Sequence, residues 1–339
     1  MNPTDVIADL RKKLLFFKEL TREELSARTG LSPASITNYS RVMRETGMVA
    51  GESFRAPGVK RPIERLRLLP GKERALAVMA APARVEAELL GCDGGVLERY
   101  SSIVPEQNQA AFLQTINRTI REGIAGKTVQ VATLCVDGLV APDPGMIFHV
   151  SGIGAWEPCE TVGMLEAWRE IPIRRVFTQI AAATRGFAAA ARQPDHIGLL
   201  ICRNAAHWKI GTMELGEIAL GRCGTPGNAV HRSCGVAAPL CFCGRSDCFA
   251  AAIAAGKGRL PASVIAGVLS GLFFELGLRI VGLNWPEYGE ALIRALSGTG
   301  IDLRPVEDPE HFARQGLREL TAELIPISER IVKHESQPL

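Results

Sequence analysis

Residues 20–49 read LTREELSARTGLSPASITNYSRVMRETGMV, and this stretch decides the fold of the N-terminal part of the chain. Thr21 and Glu24 have the spacing of a capping box, in which each side chain accepts a hydrogen bond from the other residue's backbone amide. Gly30 can adopt the left-handed conformation that ends a helix. The pattern therefore predicts a short helix between Thr21 and Gly30.

A second helix is predicted directly after this one. Ser32 is a good N-cap and Pro33 a good first helical residue, and we expect the helix to reach about Thr46. Two short helices joined by a tight turn that contains glycine are a helix-turn-helix, whose second helix enters the major groove of DNA. Its exposed side carries hydrogen-bonding residues, which we predict to contact DNA: Ser32, Ser35, Thr37, Asn38, Arg41 and Arg44.

A basic segment with a strand pattern follows the second helix. Arg55, Lys60 and Arg61 precede a stretch, 63–68, in which apolar residues recur in alternation. This pattern predicts a small β-hairpin, the wing of a winged helix-turn-helix, whose basic tip would reach phosphates or the minor groove. The three basic residues are therefore predicted DNA contacts as well. The alternative is that the same helices form a protein-interaction module.

The charge distribution separates this head from the rest of the chain. Residues 1–72 contain 14 Lys and Arg against 8 Asp and Glu, a net charge of +6, whereas the remaining residues carry a net charge of −3. A basic head on a mildly acidic body is typical of a nucleic-acid-binding module joined to another domain. We predict a winged helix-turn-helix domain over 1–72 and a second domain over 73–339.

The composition excludes several protein classes. With 47% apolar and 22% charged residues among 339, the chain resembles globular proteins and not disordered or collagen-like ones. No apolar run is long enough for a membrane helix, and the N-terminus lacks the pattern of a signal peptide. Nine cysteines, an odd number, do not indicate a disulfide framework. We therefore expect a cytoplasmic protein with no membrane partner.

A cluster of cysteines predicts a metal site. Three thiolates and one imidazole match a tetrahedral zinc site, and the predicted ligands are His231, Cys241, Cys243 and Cys248. Such a set leaves no open coordination position, so the Zn²⁺ would be structural. The alternatives are that these are buried cysteines beside an unrelated histidine, or that Cys223 or Cys234 replaces one of the ligands.

The same segment resembles the signature of the ROK family (repressors, open reading frames and sugar kinases). Residues 227–231, GNAVH, match the family's Gly-Glu-x-Gly-His segment, and Cys241 follows His231 by ten residues, as in the family. The head resembles that of the repressor branch. The resemblance implies an actin-like, sugar-kinase-like, two-lobed α/β fold for the body. Apolar runs such as 129–136 and 197–202 are compatible with its buried strands.

The body departs from the sugar kinases of the family where they bind phosphate. Their glycine-rich loops correspond here to 75–87, ALAVMAAPARVEA, and 203–208, RNAAHW, which contain no glycine. Without glycine the backbone amides cannot close around a phosphate. The catalytic aspartate of the kinases corresponds to the segment at Thr178 and Gln179, and neither side chain can act as a base near neutral pH. We therefore expect no kinase activity.

A remnant of the sugar pocket can still hold a neutral or modified ligand, or it is empty and the body only pairs the heads. The predicted effector residues are Thr178, Gln179, Asn228 and His231. The leading hypothesis is a transcriptional repressor that binds a double-stranded DNA operator as a homodimer or tetramer and is released by a sugar-like effector. The alternatives are an ATP-dependent sugar kinase and a regulator that senses zinc or thiol oxidation.

Overall fold

The computed structural model describes residues 2–55, 62–141, 145–204, 207–219, 233–241, 244–255 and 260–327. These residues divide into two compact units: 2–135, 150–176 and 318–327 belong to the first, and 136–149 and 177–317 to the second. The predicted head lies within the first unit, and its boundary at residue 72 stays a prediction. None of the helices in these ranges is both long enough and apolar enough to cross a membrane.

The described residues form eleven helices and sixteen strands. The helices are α1 (Pro3–Phe17), α2 (Arg22–Thr29), α3 (Pro33–Glu45), α4 (Gln109–Ile124), α5 (Thr161–Met164), α6 (Glu166–Arg169), α7 (Gln179–Ala191), α8 (Phe249–Ala255), α9 (Ala262–Glu275), α10 (Gly289–Leu296) and α11 (Pro309–Glu323). The strands are β1 (Glu19–Thr21), β2 (Val49–Phe54), β3 (Ile63–Leu68), β4 (Ala75–Ala81), β5 (Arg84–Leu90), β6 (Val96–Ile103), β7 (Val131–Val136), β8 (Gly138–Ala141), β9 (Met146–Val150), β10 (Cys159–Glu160), β11 (Ile173–Thr178), β12 (Ile197–Asn204), β13 (His207–Glu214), β14 (Glu217–Ile218), β15 (Ile280–Asn284) and β16 (Asp302–Pro305).

The head is a winged helix-turn-helix, as the sequence predicts. Thr21 Oγ1 accepts a hydrogen bond from the Glu24 amide at 3.1 Å, and the Glu24 carboxylate accepts one from the Thr21 amide at 2.8 Å, so the capping box is present. Gly30 ends α2 with a φ of 70°, and Ser32 caps α3 by accepting from the Ser35 amide. β2 and β3 pair antiparallel and form the wing.

Apolar side chains hold the helices and the sheet of the head together. The sheet has the order β1-β3-β2. Leu25 of α2 and Ile36 and Met43 of α3 are at most 2% exposed and form the inward side of the two helices. Burying a side chain of this size stabilises the fold by about 1.5–3 kcal/mol. The opposite side of α3 is left to solvent.

The rest of the first unit is built on a five-stranded sheet of order β11-β7-β4-β5-β6. β4, β5 and β6 are consecutive antiparallel strands, and α4 packs against all three. Every residue of β7 is buried, which confirms the buried strand expected over 129–136. The first unit thus has the helix-on-sheet layers expected for one lobe of an α/β body.

The second unit is built on a mixed sheet of order β14-β13-β12-β15-β16. β12, β15 and β16 run parallel to one another, whereas β13 pairs antiparallel with β12 and β14. α7 covers β12 and β13 and crosses α11 at two glycines. A Cβ on Gly186 would lie 2.0 Å from the Phe312 carbonyl oxygen, and one on Gly316 would lie 1.9 Å from the Ala182 carbonyl oxygen. Glycine therefore sets the close approach of these two helices.

Candidate nucleic-acid interface, zinc loop and effector residues

The predicted DNA contacts of the second helix lie together on one side of α3. Ile36, Ser40 and Met43 occupy the buried side of the helix. On the other side five of the six predicted residues are exposed and Ser35 is half-buried; the exposed ones are Ser32, Thr37, Asn38, Arg41 and Arg44. The fold thus brings all six into one polar surface.

The hydroxyl groups at the start of α3 have local partners. Ser32 Oγ lies 3.1 Å from the Ser35 amide nitrogen and 2.9 Å from Ser35 Oγ. Thr37 Oγ1 donates to the Pro33 carbonyl oxygen at 2.9 Å. A hydroxyl has two acceptor lone pairs besides its single proton. Thr37 can therefore still accept a hydrogen bond from the amino group of a base.

Arg41 is oriented on the helix surface by its neighbours. Its guanidinium donates to Asn38 Oδ1 at 3.0 Å and to Glu45 Oε1 at 3.2 Å. An exposed ion pair of this kind contributes about 0–1 kcal/mol. A DNA phosphate can therefore replace Glu45 as the partner of Arg41 at little cost.

The two wing strands are paired over their whole described length, and the predicted basic residues follow the first of them in the sequence. Arg55 is exposed directly after β2, whereas Lys60 and Arg61 lie outside the described residues. Near the tip end of the described wing strands, where Phe54 pairs with Ile63, the Arg65 guanidinium lies over the Phe54 ring, 4.4 Å from its centre. This contact joins β3 to β2 and holds the two wing strands in register.

Sequence reasoning missed two charged residues beside the recognition helix. Glu64 of β3 accepts a hydrogen bond from Arg44 at 2.5 Å, and Arg22 at the start of α2 pairs with the same carboxylate at 2.9 Å. The signal available in the sequence is an acidic residue in an otherwise basic wing strand. The acidic residue alone does not predict which arginines bind it, because Arg44 and Arg22 are 20 or more positions away in the sequence.

Two of the four predicted zinc ligands lie in a tight loop. The Cys241 amide donates to the Arg245 carbonyl oxygen at 2.9 Å, and the Gly244 amide donates to the Cys241 carbonyl oxygen at 2.8 Å. Gly244 has a φ of 83°, which glycine adopts without steric cost. Cys248 is fully buried where this loop meets α8. The other two predicted ligands lie outside the described residues: His231 and Cys243.

Cys234, an alternative ligand, has another role in the same loop. Its thiol donates to the Asp247 carbonyl oxygen at 3.2 Å. Cys223 lies outside the described residues. Within the described ranges no group of three His, Cys, Asp or Glu side chains comes together. The described part of this loop, a turn closed by Gly244 between Cys241 and Cys248, is compatible with a structural zinc ion, and His231 and Cys243 stay predicted ligands.

Two of the predicted effector residues meet where β11 joins α7. Thr178 is 2% exposed, and its Oγ1 accepts a hydrogen bond from the Ala181 amide at 3.2 Å, so it caps α7. Gln179 is the first residue of the helix and is half-buried. The other two, Asn228 and His231, lie outside the described residues.

The two segments in place of the kinase phosphate loops form paired strands. β12 continues to Asn204 and β13 begins at His207, and these two residues are partners in the antiparallel ladder. β4 and β5 pair in the same way over 75–90. Lys209, two residues into β13, forms an ion pair with Asp137. The amides of such strands point to a neighbouring strand or to solvent, and the loss of phosphate binding at the turns between them stays a prediction.

Comparison with known proteins identifies relatives of this chain. No family model matches it. The DNA-binding transcriptional dual regulator NagC of Escherichia coli (strain K12) is 24% identical over 245 residues, which cover 68% of this chain and 57% of NagC. The N-acetylglucosamine repressor of Shigella flexneri matches to the same extent. The chain thus spans a little over half the length of the curated relatives it matches.

Solved structures share its fold. A ROK family transcriptional regulator, described as a homolog of the E. coli MLC protein, matches with a TM-score of 0.59 and 15% identity over 94% of this chain and 97% of that chain. The ROK hexokinase from Thermus thermophilus matches with a TM-score of 0.55 and 16% identity over 73% of this chain and 97% of that one. The fold is therefore a small helical and winged region followed by a two-lobed, sugar-kinase-like α/β body. In its signature residues, its curated relatives and its fold, the chain is thus similar to proteins of the ROK family.

Proposed function

We propose that this chain is a DNA-binding transcriptional repressor whose body binds a small sugar-like effector without phosphorylating it. The observation that carries the proposal is the exposed polar side of α3 on a capped helix-turn-helix beside a wing. Two relatives support it, because one is named a DNA-binding transcriptional regulator and the other a repressor. The proposed DNA ligand supports the expected cytoplasmic location.

The polar surface divides into two kinds of DNA contact. Basic side chains supply affinity for phosphate, which carries no sequence information; these are Arg41, Arg44, Arg55, Lys60 and Arg61. Short polar side chains at the start of α3 read base edges in the major groove; these are Ser32, Ser35, Thr37 and Asn38. A homodimer would present two such surfaces to the two halves of a palindromic operator.

Selection of DNA from a random duplex library by the full chain tests this function. We expect one palindromic sequence to be enriched. Asn38→Ala should then weaken binding of the selected DNA by about 10- to 100-fold, because a bidentate contact to a base is worth about 1–3 kcal/mol. Glu23→Ala, on the exposed side of α2, is the matched control and should bind normally. No enrichment, or equal loss in both variants, would overturn the proposal.

We further propose that His231, Cys241, Cys243 and Cys248 hold one structural Zn²⁺. The support is the glycine-closed turn at Cys241 and the hydrogen-bonded thiol of Cys234. Metal analysis of the purified chain should give one zinc per chain. Cys248→Ser should abolish it, and Cys234→Ser should retain it. Loss of zinc in the Cys234 variant alone would reassign the ligand. DNA release by a mild oxidant with the zinc content unchanged would favour a thiol sensor.

The effector proposal rests on Thr178 and Gln179 at the start of α7, with Asn228 and His231. Amide and hydroxyl groups of this kind suit a neutral sugar or an amino sugar. N-acetylglucosamine is the first compound to test, because it is in the printed name of a relative. A ligand of the native state raises the melting temperature and should release the selected DNA. ATP turnover with any hexose would contradict the expected loss of kinase activity.

A further inference from the structure

Three charged side chains join the wing to both helices of the helix-turn-helix. We call them the wing cluster: Glu64 of β3, Arg22 of α2 and Arg44 of α3. Each guanidinium takes its own carboxylate oxygen, because Arg44 Nη2 lies 2.5 Å from Glu64 Oε1 and Arg22 Nη2 lies 2.9 Å from Glu64 Oε2. One carboxylate therefore fixes two cationic groups at the edge of the predicted DNA surface.

The carboxylate of Glu64 occupies a space that the facing strand leaves for it. A Cβ added to Gly51 of β2 would lie 2.0 Å from Glu64 Oε1 and 2.9 Å from Arg44 Nη2. The φ of Gly51 is not positive, so its backbone conformation does not require glycine. Its missing side chain thus provides room for the ion pair, and any larger residue must displace the carboxylate.

Stability alone does not account for this arrangement. The side chains of Glu64, Arg22 and Arg44 are 27%, 39% and 44% exposed, and ion pairs with such exposure contribute about 0–1 kcal/mol. An acidic residue beside DNA also repels phosphate. Its benefit must therefore lie in where it holds the two arginines, and not in the attraction it adds.

We propose that Glu64 is a positioning residue for DNA binding, which orients Arg44 and Arg22 and restrains them from contacting phosphates of any sequence. The inference rests on the proposed DNA-binding function. Arginines that Glu64 holds in place contact phosphates only when α3 and the wing are docked on the DNA in one particular position. Freed arginines would reach phosphates on every duplex, which raises non-specific affinity and lowers the ratio of specific to non-specific binding.

The test compares three variants of the full chain on the selected DNA and on random duplex over a range of salt concentrations. Glu64→Gln removes the charge of the cluster. Gly51→Ala keeps every charge and displaces the carboxylate. Glu52→Gln, exposed on β2, is the control for net charge in the wing.

We expect Glu64→Gln and Gly51→Ala to lower the specificity ratio by roughly five- to tenfold. Their non-specific binding should also depend more steeply on salt, by about one to two in the slope of log K against log salt, because each new phosphate contact adds about 0.9. Glu52→Gln should change neither quantity. A merely structural role would lower the melting temperature and leave the salt slope unchanged.

Two outcomes would overturn the inference. Equal effects of Glu64→Gln and Glu52→Gln would mean that net charge alone matters, and a normal ratio in Gly51→Ala would mean that the position of the carboxylate does not matter. Failure of the unmodified chain to prefer any duplex over random DNA is a different result. It would overturn the proposed function itself, before any variant is compared.

Discussion

The head contains a second charged cluster, and its contrast with the wing cluster is informative. We call it the helix-end cluster: the Arg11 guanidinium with the last carbonyl groups of α11. Arg11 is 5% exposed and donates to the Ala322 oxygen at 3.0 Å and to the Glu323 oxygen at 2.6 Å. Beside it Lys18 pairs at 2.9 Å with Glu319, whose side chain is 1% exposed. The wing cluster, in contrast, is 27% to 44% exposed.

The difference in burial separates structural from functional use of the same residue types. Burial lowers the pKa of Arg11 because it disfavours the charged form, so this arginine needs the carbonyl groups it binds. Water and salt weaken the wing cluster, so its ion pairs add little stability, and its arginines stay accessible to solvent. We conclude that the helix-end cluster holds α1 against α11, whereas the exposed wing cluster is suited to the proposed DNA surface.

The largest effect is expected where a buried partner is removed. Arg11→Met should lower the free energy of unfolding by about 2–4 kcal/mol, because a buried and a partly buried carbonyl group lose their donor. Urea denaturation followed by tryptophan fluorescence measures it. Lys13→Met on the same helix removes an i,i+4 pair with Asp9 and should cost less than about 0.5 kcal/mol. Equal losses in the two variants would erase the distinction between buried and exposed charge.

The next effect concerns α11 itself, which carries the helix-end cluster at its last turn. Gly186→Ala places a Cβ 2.0 Å from the Phe312 carbonyl oxygen, and such overpacking costs about 1–3 kcal/mol. Gly267→Ala in α9 is the matched control, because nothing lies within 4 Å of that Cβ. Alanine there should stabilise by about 0.5–1 kcal/mol. The two substitutions are thus expected to shift the melting temperature in opposite directions.

The side chain of Glu88 is 15% exposed, which is more than Arg11 and less than the wing cluster. Its ionisation makes the stability of the fold depend on pH. Arg318 donates to both of its oxygens, at 2.6 and 2.7 Å. Burial alone would raise the pKa of Glu88, but hydrogen bonds and charge from Arg318 and then Arg99 outweigh it and lower the pKa below 4.5. Folding therefore favours the ionised carboxylate of Glu88. Its contribution to the free energy of unfolding is present above about pH 4.5 and is lost as the pH falls through the lowered pKa.

Comparison of the unmodified chain with Glu88→Gln from about pH 6 to pH 3 measures this contribution. The unmodified chain should be the more stable at pH 6, and the difference should shrink as the solution becomes acidic. A difference that stays constant over this range would mean that Glu88 stabilises the sheet through packing and not through charge.

The smallest effect is expected in the wing cluster. Glu64→Gln should change the free energy of unfolding by less than about 1 kcal/mol, because exposed ion pairs contribute little. Chemical denaturation at low and high salt measures it, and the difference should vanish at high salt. If Glu64→Gln lowered the free energy of unfolding as much as Arg11→Met does, and independently of salt, both clusters would stabilise the fold in the same way.

Local signals predicted the head well, since caps act over a few residues. The capping box at Thr21, the turn at Gly30 and the cap at Ser32 each depend on neighbours at most three positions away, and all are present. The wing cluster was not predictable in this way. Its geometry depends on the register that places Glu64 opposite Ser53, two residues from Gly51.

The body was predicted mainly through resemblance. The spacing of Cys241 and Cys248 pointed to zinc, and the structure adds the turn between them without testing the complete ligand set. Thr178 was singled out as a polar contact for an effector, and the structure adds that it caps α7 while buried. No pattern in the sequence foretells this burial, because it depends on elements that are distant along the chain.

The contact of Arg11 with Ala322 joins residues 311 positions apart. Translation proceeds from the N-terminus at about 5–20 residues per second, so roughly 15–60 s pass between the emergence of the two. During that time α1 can fold with α2 and α3, but Arg11 lacks the acceptors it binds in the finished protein. A ribosome that stops before residue 323 therefore releases a head whose first helix is unanchored. In this way α11, which is synthesised after all of the described strands, completes the anchoring of α1.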